Sequence, residues 1–114
     1  MKLDEILKTE YCEKFDELRK NRIKVAYYNY GPAKQNFGNK LVDAIKTLKL
    51  QIKKYEETGN TEYLIDAANY SMFEFMYPQH KKAHFRATDS SESAGLSGMS
   101  YNQIKEFKDQ EDWD

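Results

Sequence analysis

The sequence predicts an all-α fold, a small helical bundle built on an antiparallel helix hairpin, with a long ordered polar loop before a short C-terminal helix. Three observations carry this. Apolar residues recur at steps of three and four through charged surroundings. Glycine and proline fall at the ends of the periodic segments rather than within them. Asn, Thr and Ser stand where helices would start.

The first periodic segment places Leu3, Ile6, Leu7, Tyr11, Phe15, Leu18 and Val25 among Lys, Glu and Asp, which predicts an amphipathic helix to about Asn29. A break is allowed near Lys8-Thr9-Glu10, with Thr9 as the cap of a second piece. Gly31-Pro32 stops it, because glycine tolerates a C-cap conformation and proline cannot continue a helix. Ala33 to Asn39 reads as a loop. The second helix, Lys40 to Tyr55, carries Leu41, Ile45, Leu48, Ile52 and Tyr55, with Gly59 as its C-cap. Asn60 or Thr61 caps a third helix, Glu62 to Tyr77, ended by Pro78. The turn between the two is short, so they pack as an antiparallel hairpin.

From Pro78 to Met99 the periodicity disappears. A polar loop of this length within a compact domain is usually functional or disordered, and Phe85 and Leu96 within it suggest pinning to the body. Ser100-Tyr101-Asn102-Gln103 then has the Ser-x-x-Gln form of a capping box and opens a last helix through Lys108. With 114 residues the chain is read as one domain, 1–114, with a frayed tail at 109–114.

Composition bounds the function. There are 18 basic against 19 acidic residues, a net charge of −1, which argues against a dedicated duplex-DNA binder. Mean hydropathy is −0.93, yet 14% of residues are aromatic, too many for a disordered chain. Cys12 is the only cysteine, which excludes an intrachain disulfide and a cysteine zinc site. Met1 to Glu5 lacks the apolar stretch of a signal peptide and no run approaches transmembrane length, so a cytoplasmic protein without a membrane partner is expected.

Polar groups intrude on the third helix in the run Tyr63 to Met76. Leu64, Ala68, Met72 and Phe75 form one stripe, widened by Ile65 and Met76. Glu62, Asp66, Asn69 and Phe73 line another face, suited either to a metal or polar ligand or to interhelical hydrogen bonds. The phrase Leu64-Ile65-Asp66-Ala67-Ala68-Asn69-Tyr70 resembles the third-helix segment of the all-alpha, MazG-like nucleoside triphosphate pyrophosphohydrolases, and of small phage proteins loosely grouped with them. The resemblance covers the second and third helices, about a third of the chain. It implies a magnesium-dependent nucleotide pyrophosphohydrolase with Glu62 and Asp66 as ligands. The departures bear on that reading, because the second helix offers only Asp43 amid Lys40, Lys46, Lys49, Lys53 and Lys54, and Tyr63 stands three residues before Asp66. Magnesium needs several oxygen ligands, so the metal motifs read as degenerate.

The loop supplies His84, Phe85, Arg86, Thr88, Asp89, Ser90 and Ser91, which combine an aromatic face, a guanidinium and hydroxyls, a set suited to a nucleotide. His80 and His84 are four apart without an expected helix, a poor metal site. Tyr27-Tyr28-Asn29-Tyr30 with Phe37 is a core corner, an oligomer interface or a base-stacking wall. Of three arginines, Arg22 and Arg86 are the leading phosphate contacts. Arg22 lies on an apolar stripe where a charge needs an anionic partner, and Asp66 is the alternative partner that would make both structural.

The functional expectation is therefore non-catalytic binding of a nucleotide-like anionic ligand, with no cofactor, at a site drawn from Arg22, Tyr28, Asp66, Asn69, His84, Phe85, Arg86, Thr88, Asp89 and Ser90. His84 to Ser91 would be its lid. The phage resemblance sharpens this to a sponge that sequesters a host immune nucleotide signal in the host cytoplasm. The alternatives are the magnesium-dependent hydrolase, and a protein-binding inhibitor of a host defence enzyme. A homo-oligomer is expected, since each helix has one broad apolar face.

Overall fold

A computed structural model describes residues 3–89, 91–92, 94 and 100–110. These residues are helical or irregular, without a strand among them, which is the predicted all-α class. The contacts within the chain gather into two compact units, Met1–Ala83 and His84–Asp114, where the sequence reads as one domain. Among the described residues no helix is long and apolar enough to cross a membrane.

The first unit contains α1 (Leu3–Glu10), α2 (Glu13–Tyr30), a π-helical turn (Lys34–Gly38), α3 (Ala44–Thr58) and α4 (Glu62–Met76). The expected break in the first helix is present, but Thr9 is not the cap. Its hydroxyl donates back to the Ile6 carbonyl at 3.2 Å, inside α1. Cys12 takes the capping role in an extended conformation, and its sulfur accepts the Phe15 amide at 3.3 Å. Cysteine is a rare cap and carries no sequence signal for one. Helix α2 ends as predicted at Gly31, whose φ of 83° favours glycine and whose amide donates to the Tyr27 carbonyl at 2.9 Å.

The segment read as a loop after Pro32 is instead the π turn. The Leu41 and Val42 amides both converge on the Asn36 carbonyl at 2.9 Å, and the Asn36 amide group donates to the Tyr30 carbonyl at 3.0 Å. The gain is apolar, because the turn drives Phe37 to 5% exposure in the core. Helix α3 starts later than predicted because Asp43 caps it, its carboxylate accepting the Lys46 amide at 3.0 Å. Gly59, at φ 73°, ends it, and the Asn60 side chain accepts the Glu62 amide at 3.0 Å to open α4. Helix α4 packs along α3 and less extensively along α2.

The buried residues of α4 are Ile65, Ala67, Asn69 and Phe73. This corrects the predicted stripe, since Phe75 is 75% exposed and Met76 is exposed too. The face read as polar is the one that turns inward, because its polar groups find partners on α2. The core gathers Phe37, Ala44 and Phe73, with Ile23, Val42 and Tyr70 packed against them. Phe37 stacks on Phe73 at 4.7 Å and meets Tyr70 edge-on at 6.1 Å.

Past Pro78, Gln79 is tied to the first unit. Its amide donates to the Glu74 carboxylate and its side chain to the Val42 carbonyl, each at 2.8 Å. The second unit carries α5 (Tyr101–Gln110), two residues longer than expected. The Ser100 capping box forms as predicted, with Ser100 N–H donating to Gln103 Oε1 at 2.8 Å and Gln103 N–H to Ser100 Oγ at 3.3 Å. Ser90, Leu96, Met99 and Trp113 lie outside the described residues.

Candidate functional site

Helices α2 and α4 run antiparallel with two polar pairs in register. Arg22 Nε and Nη2 donate to the two carboxylate oxygens of Asp66, each at 3.0 Å. One turn away, the Asn69 side chain donates to the Arg19 carbonyl at 3.0 Å and accepts from Arg19 Nη1 at 3.4 Å. Asn69 is 5% exposed, so this reciprocal contact satisfies an amide that water cannot reach. Glu62 lies 3.8 Å from Arg22, and Asp16 lies 3.6 Å from Arg19. The hydrogen bond to Asp66 raises the Arg22 guanidinium further above its ordinary value.

Glu62 and Asp66 therefore share a face, as their spacing predicts, and the cation both approach is Arg22. Among the described residues no three His, Cys, Asp or Glu side chains are grouped to hold a metal ion. The Asp66 carboxylate occupies the Nε–Nη2 edge of Arg22, and a guanidinium has a further pair of donors on Nη1.

Beside this pair, the end of α2, the π turn and α4 enclose an aromatic slot of about 400 Å³ lined by Tyr27, Tyr30, Phe37, Tyr70 and Phe73, with Ile23, Val42 and Asn36 between them. Burial is the main force that raises the Tyr70 phenol above its ordinary value, Asp66 pushes in the same direction, and Arg22 opposes it. Tyr70 thus senses both members of the ion pair. Arg22 also lines a hollow of about 280 Å³ with Asn21, Asn60, Thr61 and Glu62.

Of the sequence-predicted site residues, the structure joins Arg22 directly to Asp66, and Asn69 pairs one turn away with Arg19. Tyr28 stands exposed, edge-on to Tyr27 at 6.4 Å, and does not line the slot. His84, Phe85, Arg86, Thr88 and Asp89 belong to the second unit. There Arg86 holds Glu92 with both terminal nitrogens, one at 3.4 Å to Oε1 and the other to Oε2. The Asp89 carboxylate accepts the Ser91 amide and hydroxyl and the Glu92 amide at 3.0, 2.7 and 3.2 Å, which folds the chain into a turn. These bonds to Ser91 hold Asp89 below its ordinary range, as Arg86 does Glu92. His80, weighed with His84 as a metal pair, accepts the Lys82 amide at Nδ1 in a local turn.

Arg19 and Tyr70 are the participants that sequence reasoning missed. A signal existed for the first. Arg19 and Arg22 are three apart on α2, as Asp66 and Asn69 are on α4, and equal spacing on antiparallel helices brings both pairs together.

Fold and site together define a small all-α protein with an aromatic slot and a partly buried arginine–carboxylate pair between α2 and α4. Compared with family models, curated proteins and solved structures, the chain gives no match in any of the three.

Proposed function

We propose that the protein binds a nucleotide-like ligand without transforming it, with the flat base between the rings of Tyr27, Tyr30 and Tyr70 and the anionic group on the outer donors of Arg22. The observation that carries this is the aromatic slot, whose wall residue Tyr70 lies within electrostatic reach of the Arg22–Asp66 pair although neither member of the pair lines the slot. Its volume of about 400 Å³ lies in the range of small-molecule sites, and aromatic walls accept any base by its face. A fork fixed by a carboxylate loses little freedom when it meets an oxyanion. Retention of a nucleotide signal by a phage protein during host immunity is the biological setting that suits such a binder, self-associated in the host cytoplasm.

The test incubates the chain with linear and cyclic nucleotides, follows the melting temperature, then denatures the protein and identifies what is released. A bound nucleotide at one hundred times its Kd adds about 2.7 kcal/mol of stability. Intact nucleotide is expected, with the shift lost in Tyr27→Ala, whose ring is largely exposed. Altered nucleotide in the presence of magnesium would favour the hydrolase and would require Glu62 and Asp66 to leave Arg22. A panel in which no nucleotide shifts the melt overturns both. A second reading, docking on a protein, is favoured by the exposed Leu3, Leu7 and Phe75.

A further inference from the structure

Helix α1 has eight residues, none of them buried. At 100° per residue Leu3, Ile6 and Leu7 fall within about 100° of arc, an apolar stripe on one side. Leu3 is 81% and Leu7 58% exposed. A helix this short is marginal in water by itself, since isolated helices below about 12–15 residues hold poorly. It therefore needs a surface to lie on.

The same chain has a vacant surface of matching chemistry. An open groove of about 690 Å³ runs between the first turns of α2 and the second half of α4, walled by Tyr11, Phe15, Ala68, Met72 and Phe75, with Asp16 and Arg19 at its edge. We infer that α1 of a second copy lies in this groove and that the exchange is reciprocal, giving a two-fold dimer. A foreign helix in the groove would leave the α1 stripe uncovered, whereas a second copy covers stripe and groove on both chains at once. The exposed parts of Leu3, Ile6, Leu7, Tyr11 and Phe75 amount to roughly 600 Å² per copy, against about 800 Å² per partner in a standard stable interface. A net charge of −1 sets up little long-range repulsion between copies. This dimer is independent of the aromatic slot.

Sedimentation of the full chain tests it. The wild type is expected to be dimeric, and Leu7→Glu or Phe75→Asp, both at exposed positions, should raise the dimer Kd by about 30-fold or more with the helical circular dichroism retained. A register test uses Cys12→Ser chains carrying either Leu7→Cys or Ser71→Cys. Oxidation of the mixed chains should give a covalent heterodimer. A monomeric wild type overturns the proposal, as does a dimer indifferent to both exposed substitutions, or mixed Leu7→Cys and Ser71→Cys chains that give no covalent heterodimer.

Discussion

Arg22 and Arg86 each grip a carboxylate with two nitrogens, yet the grips differ in every respect that matters for stability. Arg22 reaches 44 residues along the chain and joins α2 to α4 through its Nε edge. Asp66, its partner, is 17% exposed. Arg86 reaches six residues, to Glu92 in the same loop, through its terminal nitrogens, and its side chain is 62% exposed. The first contact closes a long loop and fixes the register of two helices. The second closes a turn that Asp89 already shapes. Geometry of the fork alone therefore says little about what it holds; the separation of its ends and the water around it decide.

The largest effect that separates the two is expected at Asp66. Asp66→Ala leaves Arg22 without its main partner and should lower unfolding free energy by about 2 kcal/mol, a charged hydrogen-bond pair's worth discounted for the exposed guanidinium. Chemical denaturation measures it, and the double variant with Arg22→Ala should show a coupling of about 1 kcal/mol. A coupling near zero would move the helix register onto apolar packing alone. Asn69→Ala comes next, at about 1.5 kcal/mol, since it removes a buried side-chain amide that donates to the Arg19 carbonyl and accepts from its guanidinium. The same denaturation series reads it.

The helices were legible because their punctuation was, at Gly31-Pro32, Gly59, Pro78 and the Ser100 box. The site was only half legible. Sequence spacing put Glu62, Asp66 and Asn69 on one face correctly, but the direction of that face depends on what α2 offers opposite, and this is a tertiary fact. Residue chemistry left a ligand site and interhelical hydrogen bonds open for it; two arginines on α2 supply the hydrogen bonds, and Phe75 is left outside. The π turn was invisible for a related reason. Nothing local favours it over a loop, and it forms around the burial of Phe37 against Phe73, a residue 36 positions away. Arg22 paired with Asp66 was one of two alternatives that residue chemistry left open, and the geometry selects the pair.

Acid tests the loop fork more gently. Arg86 holds Glu92 below its ordinary 4.5, and the turn holds Asp89 below its ordinary 3.8. A depressed carboxylate stabilises the structure above its unfolded value and ceases to as pH falls through its folded one. The loop contacts should therefore persist at neutral pH and fade only below pH 4.5. Carboxyl chemical shifts of Glu92 would follow this, and a midpoint at or above 4.5 would mean that Arg86 does not engage it in solution.

The smallest effect is expected at Arg86 itself. Both ends of its pair are open to water, where the ammonium or guanidinium of an exposed pair gains little over hydration and is screened by salt. The Asp89 turn does not depend on the fork, because Ser91 and Glu92 donate to Asp89 without any part of Arg86. Arg86→Ala should thus leave the main unfolding transition where it is and raise the Glu92 midpoint toward its ordinary value. A lowered main transition would show that the turn needs the fork, and would place Arg86 beside Arg22 as a residue that holds the fold.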